Sequence, residues 1–123
     1  MVASWLYYQL GRRSVTVMTR ELYEHRARIV KAVAHPSRLA MMDALAEGEM
    51  CVCKLQEIVG SDMSTVSKHL AVMKAAGIVA DRKEGLQVFY HLQTPCILSF
   101  LACIDGVIRS NAEAQKRIAA MVR

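Results

Sequence analysis

The chain has 123 residues and a mass of 13.7 kDa, with 54% hydrophobic and 22% charged residues. That suits one domain with one core and excludes disorder throughout. Sixteen Lys and Arg against eleven Asp and Glu leave a formal charge of +5 and a pI near 9.2, a surplus that favours a polyanionic partner.

The apolar start, Met1 to Leu10, is far shorter than the roughly 20 residues of a membrane span. Arg12 and Arg13 follow it rather than precede it, so no secretory signal is read and the chain is expected to be cytoplasmic. In that compartment the four cysteines read as thiols or metal ligands, and Cys51-Val52-Cys53 has a spacing poorly suited to one intramolecular disulfide. Residues 1–18 match nothing that follows and read as an N-terminal extension or as the product of an upstream start codon, with Met18-Thr19-Arg20-Glu21 resembling a second start.

From position 21 to 34 two adjacent helical rows, Leu22, Ile29 and Val33 beside Tyr23, Ala27 and Val30, predict a first helix. Pro36 suits the first position of a second, whose stripe of Leu39, Met42 and Leu45 stops at Gly48. Met50 to Cys53 reads as a short strand. Leu55, Ile58 and Val59 then give a short third helix ending at Gly60. Ser61-Asp62 can cap a fourth, with Met63, Val66, Leu70 and Met73 on one side and Gly77 as its stop. Two β-prone runs, 78–82 and 86–92, flank Lys83-Glu84-Gly85 as a hairpin with a charged tip. Thr94-Pro95 opens a last helix apolar on two sides, Ile97, Leu101, Ile104 and Ile108 on one and Cys96, Phe100, Cys103 and Val107 on the other. One row can face the domain's own core; the other needs a second surface, most simply a twin subunit. The domain is drawn at 19–110, with 111–123 as a C-terminal tail.

The third and fourth helices, short and joined by a tight turn, form a helix-turn-helix pattern. On a wheel centred on Val66, the residues turned away are Ser64, Thr65, Lys68, Ala71 and Ala75. This small, mildly basic face can enter a major groove, with Arg82 and Lys83 of the hairpin where a phosphate backbone would lie. His69 sits about 60° from the buried centre of the wheel and is read as a packing residue rather than a base reader.

The segments Ala34-His35-Pro36-Ser37-Arg38-Leu39, Glu49-Met50-Cys51-Val52-Cys53-Lys54-Leu55, Ser64-Thr65-Val66-Ser67-Lys68-His69-Leu70 and Gly77-Ile78-Val79-Ala80-Asp81-Arg82-Lys83-Glu84-Gly85 together resemble the ArsR/SmtB family of bacterial winged-helix repressors. The resemblance runs in order from about Glu21 to Ile108, and its Cys-Val-Cys is most similar to the arsenic-responsive branch. It implies an α+β winged helix-turn-helix, mostly helical with a two- or three-stranded wing sheet. It further implies a homodimer through the first and last helices that binds a palindromic operator in double-stranded DNA and leaves it when a metal or metalloid binds. By position, Ser64, Thr65, Ser67, Lys68 and His69 fall in the family's recognition helix and Arg82 to Gln87 in its wing.

If Met50 to Cys53 is extended, Cys51 and Cys53 share a face and can converge on one soft ion. The resemblance to the arsenic-responsive branch makes arsenite or antimonite the expected inducer; trivalent arsenic or antimony takes three thiolates in a pyramid, which requires a third sulfur. Arsenic repressors of this type carry a further cysteine where this chain has Gln56, so the third donor comes from elsewhere. Cys96 and Cys103, seven residues apart, lie roughly 10 Å from each other along the last helix, too far to share one ion. Cys96 is preferred because the hairpin's second strand, just before it, pairs in a winged helix with the strand of Cys51. Cys103 fits a small buried hydrophobe. The zinc-sensing branch uses Asp, His and Glu on the last helix, where this chain has Asp105 but no histidine after His91, and the N-terminal cysteines of the cadmium and lead branch have no counterpart in residues 1–50. The expected function is a metalloid-responsive repressor, with no enzyme and no organic cofactor. The rival of the same fold is a thiol-redox sensor. A thiol oxidoreductase is disfavoured, because Cys-Val-Cys lacks the two-residue spacer and the chain has no βαβ pattern.

Overall fold

The computed structural model describes residues 18–123, so the N-terminal extension read from the sequence lies, but for Met18, outside the described residues. In chain order the elements are α1 (Met18–Val33), α2 (Pro36–Leu45), β1 (Met50–Cys51), α3 (Val52–Val59), α4 (Met63–Ala75), β2 (Val79–Glu84), β3 (Gln87–Leu92) and α5 (Ile97–Met121). The strands form one antiparallel sheet in the order β1, β3, β2, with Met50 opposite Tyr90, Cys51 opposite Phe89, and Arg82 opposite Phe89 on the other side.

The core is built where the apolar stripes meet. Met41, Met42 and Leu45 of α2, Leu55 of α3 and Val66, Leu70 and Met73 of α4 are buried, with Ile78 and Val79 behind them. The helical spacing predicts Met42, Leu45, Leu55, Val66, Leu70 and Met73 of this core; Met41 lies outside the predicted rows, Leu39 and Val59 are only half-buried, and Ile58 and Met63, expected in the rows, are exposed. Two caps sharpen the turn between α3 and α4. Gly60, at φ 74°, ends α3 in the left-handed region with its N–H donating to Gln56. Asp62 then accepts the Thr65 N–H at 2.7 Å to begin α4. In the hairpin, Gly85 (φ 61°) and Leu86 make a two-residue turn between β2 and β3.

Among the boundaries that differ from the sequence expectation are the start of the third helix and the end of the last. The strand before the third helix stops at Cys51 and Cys53 is already helical, because the Cys51 sulfur accepts the Lys54 N–H at 3.3 Å and serves as the N-cap of α3. The last helix continues unbroken past residue 110 to Met121, since its final stretch, rich in Ala, Glu, Gln, Lys and Arg, contains no Gly or Pro to stop it. No residue of α5 is buried in the single chain. Ile97 and Leu101 are half-covered against the core, whereas Phe100, Ile104, Val107 and Ile108 are exposed. Exposed Ile29 and Val30 of α1 meet Ile97 and Phe100 of α5 along an apolar cleft of about 300 Å³.

Candidate functional site

Two surfaces lie against each other: a helix face with the hairpin beside it, and a thiol corner between them. On α4 the burial of Val66, Leu70 and Met73 leaves Ser64, Ser67 and Lys68 exposed and Thr65 half-buried. Lys83 is exposed on β2, and neither Lys68 nor Lys83 enters an ion pair among the described residues. Lys74, by contrast, pairs with Asp81 at 2.9 Å, tying the end of α4 to β2.

Arg82 departs from the expectation that it lies free for phosphate. Its Nε is 2.9 Å from both carboxylate oxygens of Glu49, its Nη2 is 2.5 Å from Glu49 Oε1, and its Nη1 donates to Glu84 at 2.8 Å. Its guanidinium also stands 4.7 Å over the Phe89 ring. The hydrogen bonds from Arg82 hold the Glu49 carboxyl below the usual carboxylate range.

His69 is buried, as its place on the helical wheel predicts. Its Nδ1 accepts the Arg38 Nε–H at 3.1 Å, and its ring lies 4.2 Å from that of His35, which caps α2 by accepting the Ser37 N–H. Arg38 also donates to the Ala32 carbonyl, so one guanidinium joins α1, α2 and α4. Burial first, then the neighbouring His35 and Arg38, push the His69 pKa below its ordinary 6.5. A depressed imidazole pKa means that the unfolded chain binds this proton more readily. The resulting stability is therefore full above about pH 6.5 and is lost as pH falls through the lowered value. Denaturant unfolding at about pH 7.5 and about pH 5.5 is expected to show that loss in the wild type and much less of it in His69→Gln; an equal loss in both would remove His69 as its source.

Cys51 and Cys53 come together at the β1–α3 corner. Their Cα atoms are 5.4 Å apart and their sulfurs are joined as a disulfide, which corrects the view that this spacing suits such a bond poorly. The reason is the corner itself: Cys51 leaves the strand and Cys53 enters the first helical turn, bringing both within the 4.4 to 6.8 Å that a disulfide needs. The pair opens on a cleft of about 360 Å³, shared with Val52, Met63 and Ser67 of α3 and α4 and with Leu86, Gln87, Val88 and Tyr90 of the hairpin. The sulfurs thus border both the helix face and the hairpin.

Cys96 precedes α5 and is an exposed free thiol; Cys103 is also exposed, not buried as its apolar row implied, because nothing in the single chain covers that side of α5. Among the described residues no three His, Cys, Asp or Glu side chains are grouped to hold a metal ion. Within one chain the sulfurs of Cys51 and Cys53 come together and Cys96 does not join them. Among the described residues no helix is long and apolar enough to cross a membrane.

Comparison with known proteins defines the class. Residues 35–81 match the pattern described as bacterial regulatory protein, arsR family. The chain is 41% identical over 86 residues to an uncharacterized HTH-type transcriptional regulator of Methanocaldococcus jannaschii, MJ1325, covering 69% of this chain and 97% of that protein. It is 35% identical over 86 residues to the arsenic resistance transcriptional regulator ArsR1 of Pseudomonas putida, covering 69% of this chain and 67% of that one. Among solved structures, the homodimeric winged helix-turn-helix DNA-binding domain of Mb0332 from Mycobacterium bovis aligns with a TM-score of 0.70 at 27% identity, over 83% of this chain and 94% of that domain. The chain belongs to the arsR family: it is a winged-helix transcriptional regulator that binds DNA, and not an enzyme.

Proposed function

We propose that the protein is a homodimeric repressor that leaves its operator when a soft, thiol-seeking inducer, arsenite or antimonite, binds Cys51 and Cys53. The observation that carries this reading is the convergence of the two sulfurs at the N-terminus of α3, on the cleft shared by α4 and the hairpin. An anionic sulfur there faces the positive end of the helix dipole. Drawing the Cys51 sulfur onto an ion competes with the cap it gives to the Lys54 N–H, so ligation acts on the start of the helix-turn-helix. The donor set fits two of three positions around a trivalent ion; Cys96 is the proposed third, supplied on assembly with a second copy. The similarity to an arsenic resistance regulator supports the choice of element. A coupling of about 1 to 3 kcal/mol would weaken operator binding some 5- to 150-fold.

DNA contacts are assigned to Ser64, Thr65, Ser67 and Lys68 of α4 and to Lys83 of the wing. In a dimer Lys68→Ala with Lys83→Ala removes about four positive charges proposed to contact phosphates. The slope of log affinity against log salt is then expected to become shallower by roughly 3 to 4. An unchanged slope would remove both lysines from the contact set.

A second reading of the same site has its own support, since the two sulfurs are joined as a disulfide. In a redox sensor oxidation of the Cys51–Cys53 dithiol would itself release DNA. Operator binding titrated in parallel with arsenite, antimonite, cadmium, zinc and diamide separates the readings. Release by arsenite or antimonite under reducing conditions supports ligation, and release by diamide alone supports the redox sensor.

A further inference from the structure

We infer that the Glu49–Arg82 ion pair is the link through which the thiol corner sets the position of the wing, making both residues positioning residues for inducible release rather than phosphate contacts. The inference rests on the thiol reading above and adds the path by which a change at the sulfurs reaches the DNA-binding elements. Cys51, Phe89 and Arg82 form one row across the three strands, and directly opposed residues present their side chains on the same face. Glu49 stands two residues before Cys51, and its carboxylate takes the planar fork of Arg82 through both oxygens. Phe89 lies beneath the guanidinium and Glu84 holds its remaining edge.

The pair is more shielded than the ion pairs within single helices: the Glu49 side chain is 31% exposed and that of Arg82 48%, comparable to Lys74–Asp81, against 63% and 88% in the Glu24–Arg20 pair on α1. Among the described residues two ion pairs join separate elements, Arg82 to Glu49 and Lys74 to Asp81. Asp81 and Arg82 are neighbours on β2 and point to opposite faces of the sheet. One therefore fastens β2 to α4 and the other fastens it to the segment entering β1. A shift of Glu49 when Cys51 changes partner is passed by Arg82 to β2, and by Asp81 to Lys74 on α4. An arginine held by two carboxylates has no net positive charge to offer DNA.

The test uses the full-length protein with its thiols reduced by a phosphine, arsenite as probe, and Glu49→Gln, which keeps the shape and removes the charge. The ratio of operator dissociation constants with and without arsenite is expected to fall toward 1, while arsenite still gives its sulfur-to-arsenic absorption at the same midpoint. Amide exchange without arsenite is expected to speed up in β2 and at Gln87 to Phe89. Exchanging the charges, Glu49→Arg with Arg82→Glu, is expected to restore part of the ratio. Arg82→Gln should leave the salt slope of operator binding unchanged; a slope shallower by about 1 per contact would make Arg82 a phosphate ligand and overturn the inference. So would an undiminished ratio in Glu49→Gln, or unchanged amide exchange. Loss of the absorption in Glu49→Gln would also overturn it, by placing Glu49 in the thiol site itself. Failure of the underlying reading looks different, because there the wild type is not released by arsenite; the amide exchange still decides whether Glu49 positions the wing.

Discussion

Cys51→Ser and Cys53→Ser are each expected to abolish release by arsenite together with the ultraviolet sulfur-to-arsenic absorption, and to leave operator affinity without arsenite within about twofold of wild type, because neither sulfur is assigned to DNA. Serine is the informative substitution at position 51. Its hydroxyl can keep the cap to the Lys54 N–H that the sulfur now provides, so the loss reports on ligation and not on the start of α3. Alanine there would mix the two effects, costing about 1 kcal/mol of helix capping. At the third position Cys96→Ser is expected to weaken or remove the response and Cys103→Ser to keep it. The reverse would move the site along α5. No effect of either would leave a two-sulfur site completed by water, Gln56 or a small thiol.

The second large effect concerns the dimer. Leu101 and Ile104 both belong to one apolar row, yet Leu101 packs against the subunit's own core whereas Ile104 is 38% exposed. Ile104→Glu is therefore expected to yield a folded monomer. An unpaired carboxylate buried between subunits costs about 3 kcal/mol or more, roughly a hundredfold or more in the dimer dissociation constant. Leu101→Glu is expected to lower the stability of the subunit itself. Operator affinity should fall with Ile104→Glu, because two recognition helices about 34 Å apart are needed to read both half-sites. Sedimentation with circular dichroism separates the outcomes, and a folded, fully dimeric Ile104→Glu would place the interface elsewhere.

The features legible in the sequence are those fixed by neighbours along the chain. The spacing of Val66, Leu70 and Met73 gives the buried side of α4 and leaves Ser64, Ser67 and Lys68 outward, and the wheel places His69 inward where it is found. Asp62 as a cap and Gly60 as a stop are equally local. Val52, β-branched and beside two cysteines, reads as strand, and only the cap made by the Cys51 sulfur shows the helix starting there. The pairing of the two sulfurs depends on that corner, so an extended reading brings them together for the wrong reason. Arg82 is separated from Glu49 by 33 residues; local charge patterning shows a charged hairpin tip with Glu84 close to Arg82 and cannot show that Glu49 joins it. Cys103 reads as buried from its row, but what covers α5 is not in the single chain.

The central claim, that ligation at Cys51 and Cys53 and release of DNA are one event, is tested most directly by titrating the operator complex of the reduced wild type with arsenite. Fluorescence anisotropy of labelled DNA and sulfur-to-arsenic absorption are followed in the same cuvette. The two signals are expected to change together and to saturate at one arsenic per Cys51–Cys53 pair. Release without the absorption, or absorption that saturates while the operator stays bound, would contradict the account.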